Sequence, residues 1–190
     1  LKATRRVMAY LAQSGVWDKV FWVNRTNQSV WTTYVDSDWA GEREYSHTKS
    51  RTGVIILLNG LPVFWRSNKQ PDTSLSSAQA EVYALAEAAR DVSLRFWIAE
   101  ELLLQVTWPA IILVDNSSGI VFQQSMNPAS KLKGVFDLRL NWVKELQNKD
   151  RIKAIKVDTK YNVADILTKP LDSVTRNKLM SIVDNLRETV

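Results

Sequence analysis

The spacing of apolar and polar positions changes period several times along this chain, and each change marks an element. Residues 1–13 carry Val7, Met8, Tyr10 and Leu11 on a helix-length stretch that stops at Ser14-Gly15, a pair suited to a helix C-cap. The runs at 17–23 (WDKVFWV) and 31–36 (WTTYVD) are rich in aromatic and β-branched residues, and the Asn-Arg-Thr-Asn-Gln stretch between them reads as a turn. A polar loop at 41–51 leads to TGVIILL at 52–58, then to Asn59-Gly60, a strong hairpin signal, and on to PVFWRS at 62–67. Three antiparallel strands are therefore predicted early in the chain.

From here the period lengthens. Ser76 and Ser77 are suited to capping a helix whose apolar positions Val82, Leu85, Ala89, Val92 and Phe96 keep helical spacing as far as about Leu104. Pro109 breaks the pattern, and AIILVD at 110–115 is an unbroken apolar run ending in a carboxylate, as expected of a buried strand with a functional carboxyl end. A short helix is predicted at 117–124. Phe136, Leu140 and Val143 give a helix over 135–147, IKAIKV at 152–157 alternates as a strand does, and helical patterns occupy 162–168 and 173–187. The predicted order, β-β-β-α-β-α-α-β-α, is an α/β fold with helices packed on a mixed sheet.

Composition narrows the chemistry. The 190 residues are 45% hydrophobic, enough for one sizeable core, so one domain with room for an appended segment is expected. There is no Cys, which excludes disulfides and thiolate zinc sites and leaves oxygen to hold any metal. With six glycines the chain offers neither a phosphate-binding glycine loop nor a dinucleotide fingerprint. No apolar stretch is long enough for a membrane span, and the N-terminus lacks a signal-peptide pattern, so a soluble, non-secreted protein without membrane partners is expected. The net charge is +5, and residues 131–156 alone hold eight basic residues against three acidic ones. Such a run is an ordinary solvated helix face unless something else points to nucleic acid.

Four acids supply that pointer. Asp36 ends the first long strand, Glu81 lies in the first turns of the long helix, Asp115 ends the buried strand and Asp165 begins a late helix. Side chains so placed are able to meet at one edge of a sheet. Taken singly, each is an ordinary turn former or helix-start acid. Together they repel one another by several kcal/mol at low effective dielectric, so the cluster makes physical sense when it holds a cation. Hard oxygen ligands with no Cys and no nearby His suit Mg²⁺ or Mn²⁺. Two such ions roughly 3.5–4 Å apart activate water and stabilise the leaving oxygen at phosphorus, which is phosphodiester hydrolysis.

At YVDSDWAGEREYSHTKSRTG (34–53), LSSAQAEVYALAEAARD (75–91), ILVDNSSGI (112–120) and NVADILTKPL (162–171), the sequence resembles the ribonuclease H domain of copia-type LTR retrotransposon Pol polyproteins. The resemblance implies a ribonuclease H-like fold, a five-stranded mixed sheet with three antiparallel strands followed by parallel ones, flanked by helices. It implies that Asp36, Glu81, Asp115 and Asp165 are both the catalytic and the metal-binding residues, for two Mg²⁺ ions with Mn²⁺ as substitute and no small-molecule cofactor. It further implies cleavage of the RNA strand of an RNA–DNA hybrid during reverse transcription, with recognition through phosphates and 2′-hydroxyls. Ser37, Ser77, Gln79 and Asn116 beside the quartet, and Lys131, Lys133 and Arg139 in the basic run, are the candidate substrate contacts. Residues 1–30 look like a connection segment ending a reverse transcriptase region of the same polyprotein, and 31–190 like the ribonuclease H domain. An intracellular, cytoplasmic virus-like particle is the setting this implies.

The sequence also departs from that family. Many ribonucleases H carry a mobile His shortly before the last Asp, and VDTKYNVAD (157–165) has none; His47, the only histidine, reads as a solvated loop residue. KGVFDLRLNWVKE (133–145) lacks the histidines frequent there in copia-type sequences and keeps Asp137 and Arg139. Asp38 shares a strand face with Asp36 and stands as a supporting or substitute ligand. Trp31, Trp65, Trp97 and Trp142 are expected in the core, which leaves Trp39 for substrate contact. Three alternatives compete: an inactive hybrid-binding connection domain, an integrase or resolvase of the same fold, and a non-enzymatic basic protein. Retention of all four acids speaks against the first and third. A Glu that precedes Asp115 by 34 residues, instead of following it, speaks against an integrase.

Overall fold

The computed structural model describes residues 29–39, 49–74, 76–116 and 135–188, with Arg5, Met8 and Ala9 before them, and side chains within helices only as far as 138–183 at the C-terminal end. Its centre is a five-stranded sheet in the order β3-β2-β1-β4-β5. β1 (Trp31–Asp38), β2 (Arg51–Leu58) and β3 (Leu61–Lys69) form an antiparallel meander. Asn59 and Gly60 turn the β2–β3 hairpin with φ of 49° and 78°, the left-handed pair that Asn-Gly favours. The Asn59 side chain also accepts from the Val30 amide at 2.7 Å and so fixes where β1 begins. β4 (Ala110–Val114) and β5 (Ile152–Lys156) then add in parallel on the other edge of β1.

Each parallel strand needs a crossover, and helices provide it. α1 (Ser77–Glu101) starts where the Ser76 hydroxyl accepts from the Gln79 amide. Its predicted stripe Val82, Leu85, Ala89, Val92 and Phe96 is fully buried, from Leu85 onward in one core with Val35, Val54, Ile56, Ile112 and Val114. Arg66 of β3 clamps α1 from the sheet side, 2.6 Å from Glu87 and 2.7 Å from Asp91, while Arg95 stacks 3.5 Å over Phe64. α2 (Val135–Asn148) packs Leu140 and Val143 on α1 and the sheet. The opposite sheet face, with Tyr34 and Leu57, is covered by Val163, Ala164 and, from α3 (Ser173–Glu188), Val183. No described helix is long and apolar enough to cross a membrane.

Several expectations are corrected. β1 continues to Asp38, so Asp36 lies within the strand, opposite Gly53, and β2 begins at Arg51. α1 ends at Glu101, short of Leu104, because Leu103 turns left-handed at φ 58° and its amide bonds back to the Glu100 carbonyl. The 162–168 helix is a 3-10 turn, Val163–Leu167, preceded by another at Thr159–Tyr161. Asn162 sets it: its Oδ1 accepts from the Ala164 amide at 3.3 Å and its Nδ2 donates to the Val35 carbonyl at 3.0 Å. Of the four tryptophans expected inside, Trp31 packs on Phe96 at 5.1 Å, but Trp65, Trp97 and Trp142 are 63%, 59% and 37% exposed. Trp65 alternates away from Phe64 and Arg66, which face α1, and Trp97 falls one position off the buried stripe of its helix. Arg5, Met8 and Ala9 are helical; the rest of the 1–13 helix, the 17–23 strand, the 117–124 helix and His47 lie outside the described residues.

At Gly53 the 163–168 segment lies directly on the sheet. A Cβ there would stand 2.8 Å from Thr168 Cγ2, 2.9 Å from the Ala164 carbonyl oxygen and 2.9 Å from Leu167 Cβ. Gly53→Ala is expected to push the 163–168 turn off the sheet and to cost about 1–3 kcal/mol of stability, read by urea denaturation. An unchanged midpoint would show that the turn yields freely.

Candidate active site

The parallel register of β1 and β4 pairs Val35 with Val114, so Asp36 and Asp115, each the next residue, stand side by side, Asp36 two residues before the end of β1 and Asp115 just past the end of β4. Tyr34 faces the 163–168 side of the sheet, and Asp36, two residues on, shares that face. The close approach at Gly53 and the Asn162 bond to β1 bring Asp165 to the same spot. One carboxylate oxygen from each of Asp36, Asp115 and Asp165 lies within 4.8 Å of the others. Glu81 lies outside that set of three and approaches from α1, where the charges of Asp36 and Asp115 act on its carboxyl. The four acids picked out in the sequence are thus brought together. Asp38, also on β1, is not one of the three oxygen donors.

Burial and mutual repulsion shape their protonation. Burial pushes Glu81 up to about 8, the Asp36 charge adds to the rise, and Ser37 and Asn116 against the carboxyl oppose it. Burial, followed by the Asp36 charge, pushes Asp165 up to about 6, against the pull of Lys169. Asp36 is raised too, by burial first, with the Thr168 hydroxyl and Lys169 working the other way. Asp165 Oδ1 is buried and has no hydrogen-bond partner, an oxygen left ready for a cation. An all-oxygen donor set with such an orphan fits Mg²⁺ or Mn²⁺.

Sequence reasoning missed residues that support the acids. Thr168 donates its hydroxyl to Asp36 Oδ2, and Lys169 Nζ lies 3.0 Å from Asp165 Oδ2 and 3.9 Å from Asp36 Oδ2. The i, i+4 spacing of Asp165 and Lys169 was the available signal, in a segment read only for its acid. Among the candidate substrate contacts, Ser37 and Asn116 lie against Glu81, Ser77 is exposed at the start of α1, and Gln79 Nε2 lies 3.4 Å from the Tyr83 hydroxyl. Arg139 is set apart from the acids. Its guanidinium stacks 4.6 Å over Tyr83, 3.8 Å from Asp72, and lines a pocket of about 240 Å³ with Arg66, Lys69, Arg90 and Glu87. Lys131, Lys133 and the Asp137 side chain lie outside the described residues. Trp39 is 41% exposed and its indole donates to the Ser74 carbonyl at 3.0 Å, tying the end of β1 to the loop before α1.

No protein-family model matches the chain. Over 172 residues, 90% of the chain, it is 28% identical to a retrovirus-related Pol polyprotein from transposon RE2 of Arabidopsis thaliana. Over 146 residues, 76% of the chain, it is 30% identical to the retrovirus-related Pol polyprotein from transposon TNT 1-94 of Nicotiana tabacum. The chain spans only 12% and 10% of the length of these relatives. Among solved structures it resembles that of LC11-RNase H1 in complex with RNA/DNA hybrid, with a TM-score of 0.53 at 15% identity over 73% of this chain and 94% of that one. A likeness at that identity speaks for the fold.

The raised carboxyls link stability to pH. Folded Glu81 and Asp165 hold protons that the unfolded chain releases near the ordinary values of 4.5 and 3.8, so the folded state binds more protons. Stability of the metal-free protein is therefore expected to fall as pH rises from about 4.5 through 8, where Glu81 ionises. A tenfold difference in proton affinity between folded and unfolded chain is worth roughly 1.4 kcal/mol, so Glu81 accounts for a few kcal/mol at most. Urea unfolding in EDTA between those limits, compared with Glu81→Gln, reads it; equal slopes for the two proteins would refute the assignment.

Proposed function

We propose that this chain, a homologue of retrotransposon Pol polyproteins with the fold of ribonuclease H domains, hydrolyses the RNA strand of RNA–DNA hybrids by metal-ion catalysis. The observation that carries the proposal is the convergence of Asp36, Asp115 and Asp165 oxygens within 4.8 Å, with Glu81 beside them, where the adjacent parallel strands β1 and β4 run out toward one edge of the sheet. Asp36, Glu81, Asp115 and Asp165 would hold two divalent ions. Mg²⁺ or Mn²⁺, when bound, supplies activation of the attacking water and stabilisation of the leaving oxygen in an in-line displacement at phosphorus.

The chain's own groups do the rest. β1 and β4 hold Asp36 and Asp115 in a fixed relation, Thr168 orients Asp36, and Asn116 and Ser37 are polar groups beside Glu81. Ser77 and Gln79 at the start of α1 are candidate contacts for sugar and phosphate. Arg139, at its basic pocket, is a candidate for a backbone phosphate farther along the duplex, with Lys131 and Lys133 as companions in the same run. Such contacts sense charge and helix shape, so cleavage would depend little on sequence. Residues 1–30 are proposed to connect the domain to a reverse transcriptase region, in keeping with Pol relatives that extend far beyond it, and an intracellular particle is the setting that follows.

The lack of a His in 157–165 favours one second reading, a slow or inactive domain that binds hybrid for a polymerase. Purified chain is expected to degrade the RNA strand of a labelled hybrid with Mg²⁺ or Mn²⁺ and to leave double-stranded RNA and DNA intact. Asp115→Asn and Asp165→Asn should each bring cleavage below detection while hybrid binding persists. Hybrid binding without cleavage by the unaltered chain would select the second reading.

A further inference from the structure

A cluster of carboxylates in a low-dielectric setting needs positive charge even before metal arrives, and the chain carries one within reach. The 163–169 segment that brings Asp165 to the cluster also brings Lys169, one turn later on the same side. Its ammonium lies 3.0 Å from Asp165 Oδ2 and 3.9 Å from Asp36 Oδ2, while the side chains of these acids are only 6% and 4% exposed. The Lys169 side chain is 35% exposed, so a cation that still touches solvent meets two buried carboxylates. Among the described ion pairs, it is the cation that touches the cluster. The other oxygen of Asp165, Oδ1, is buried without a partner, so the ammonium satisfies one side of that carboxyl and leaves the other for a different ligand.

A lysine ammonium is a compact point charge on a flexible stem, readily withdrawn when a better cation comes. A divalent ion carries twice the charge and takes several oxygens at once. Even on the two different oxygens of the one Asp165 carboxylate, an ammonium and a divalent ion stand close enough to repel each other strongly. We propose that Lys169 is a resident countercharge which holds the carboxylate cluster together in the metal-free protein and is displaced when divalent metal binds. The proposal rests on the reading of this cluster as a metal site. It makes Lys169 a positioning residue: it keeps Asp36 and Asp165 converged for the incoming ion, and its displacement weakens metal binding by a fixed factor.

The test is Mn²⁺ titration of the whole chain, followed by the electron paramagnetic resonance of free Mn²⁺, in wild type, Lys169→Met and Lys169→Arg. Met keeps the stem without the charge, and Arg keeps the charge. The expected result is that Lys169→Met binds Mn²⁺ about tenfold tighter, about 1.4 kcal/mol, with Lys169→Arg close to wild type. Metal-free Lys169→Met should melt lower, and saturating Mn²⁺ should raise its Tm by more than it raises wild type. Wild type gives a reading that needs no variant: the Lys169 side-chain ¹⁵N resonance, held by its ion pair, should shift or broaden on saturation with diamagnetic Mg²⁺. Mn²⁺ bound by wild type but no tighter by Lys169→Met, or a Lys169 resonance untouched by saturating Mg²⁺, would overturn the countercharge and leave the metal site standing. No Mn²⁺ uptake by any of the three would overturn both.

Discussion

The repulsion among four carboxylates gathered at one point is the constraint around which this molecule is arranged. Asp36, Glu81, Asp115 and Asp165 come from four distant segments, and burial removes the water that would otherwise screen them. The fold answers in two ways. Protons stay on where they would ordinarily leave, with Glu81 held up to about 8, and donors are brought in, the Thr168 hydroxyl to Asp36 and the Lys169 ammonium to Asp165.

Convergence at that cost demands a frame that does not yield. Parallel pairing of β1 with β4 sets Asp36 beside Asp115 through a ladder buried on both faces, so neither strand is able to slip without exposing Val35 or Val114. The missing side chain at Gly53 lets the 3-10 turn lie directly on the sheet, and Asn162 bonds that turn to the β1 backbone. On the other face, the Arg66 contacts with Glu87 and Asp91 hold α1 to β3, and the same helix carries Glu81 two turns earlier. Core packing and the chemistry of the site are thus properties of the same few elements.

Elements with a strong period were legible in the chain: the α1 stripe from Val82 to Phe96, the Asn59-Gly60 hairpin and the apolar run into Asp115 all stand as read. Elements set by a single contact were not. The 162–168 segment has helical spacing, yet the bond from Asn162 to Val35, 127 residues away, accompanies a 3-10 turn. Trp65 and Trp97 have the hydrophobicity of core residues but stand exposed, because burial depends on which neighbour covers a face and not on the residue alone.

The site divides along the same line. Their joint placement near strand ends and helix starts, together with the resemblance to ribonuclease H domains, singled out the four acids, each of which alone has an ordinary reading. The sequence by itself determined which elements form, which stripe is buried and which acids are available, because those follow from local period and side-chain chemistry. Only the tertiary structure decided that Thr168 and Lys169 serve Asp36 and Asp165, that Asp38 stands aside from the three converging oxygens, and that Arg139 belongs to a separate basic pocket. Distances between residues far apart in the chain are set by packing against third parties, Gly53 and Asn162 among them, and no local pattern encodes them.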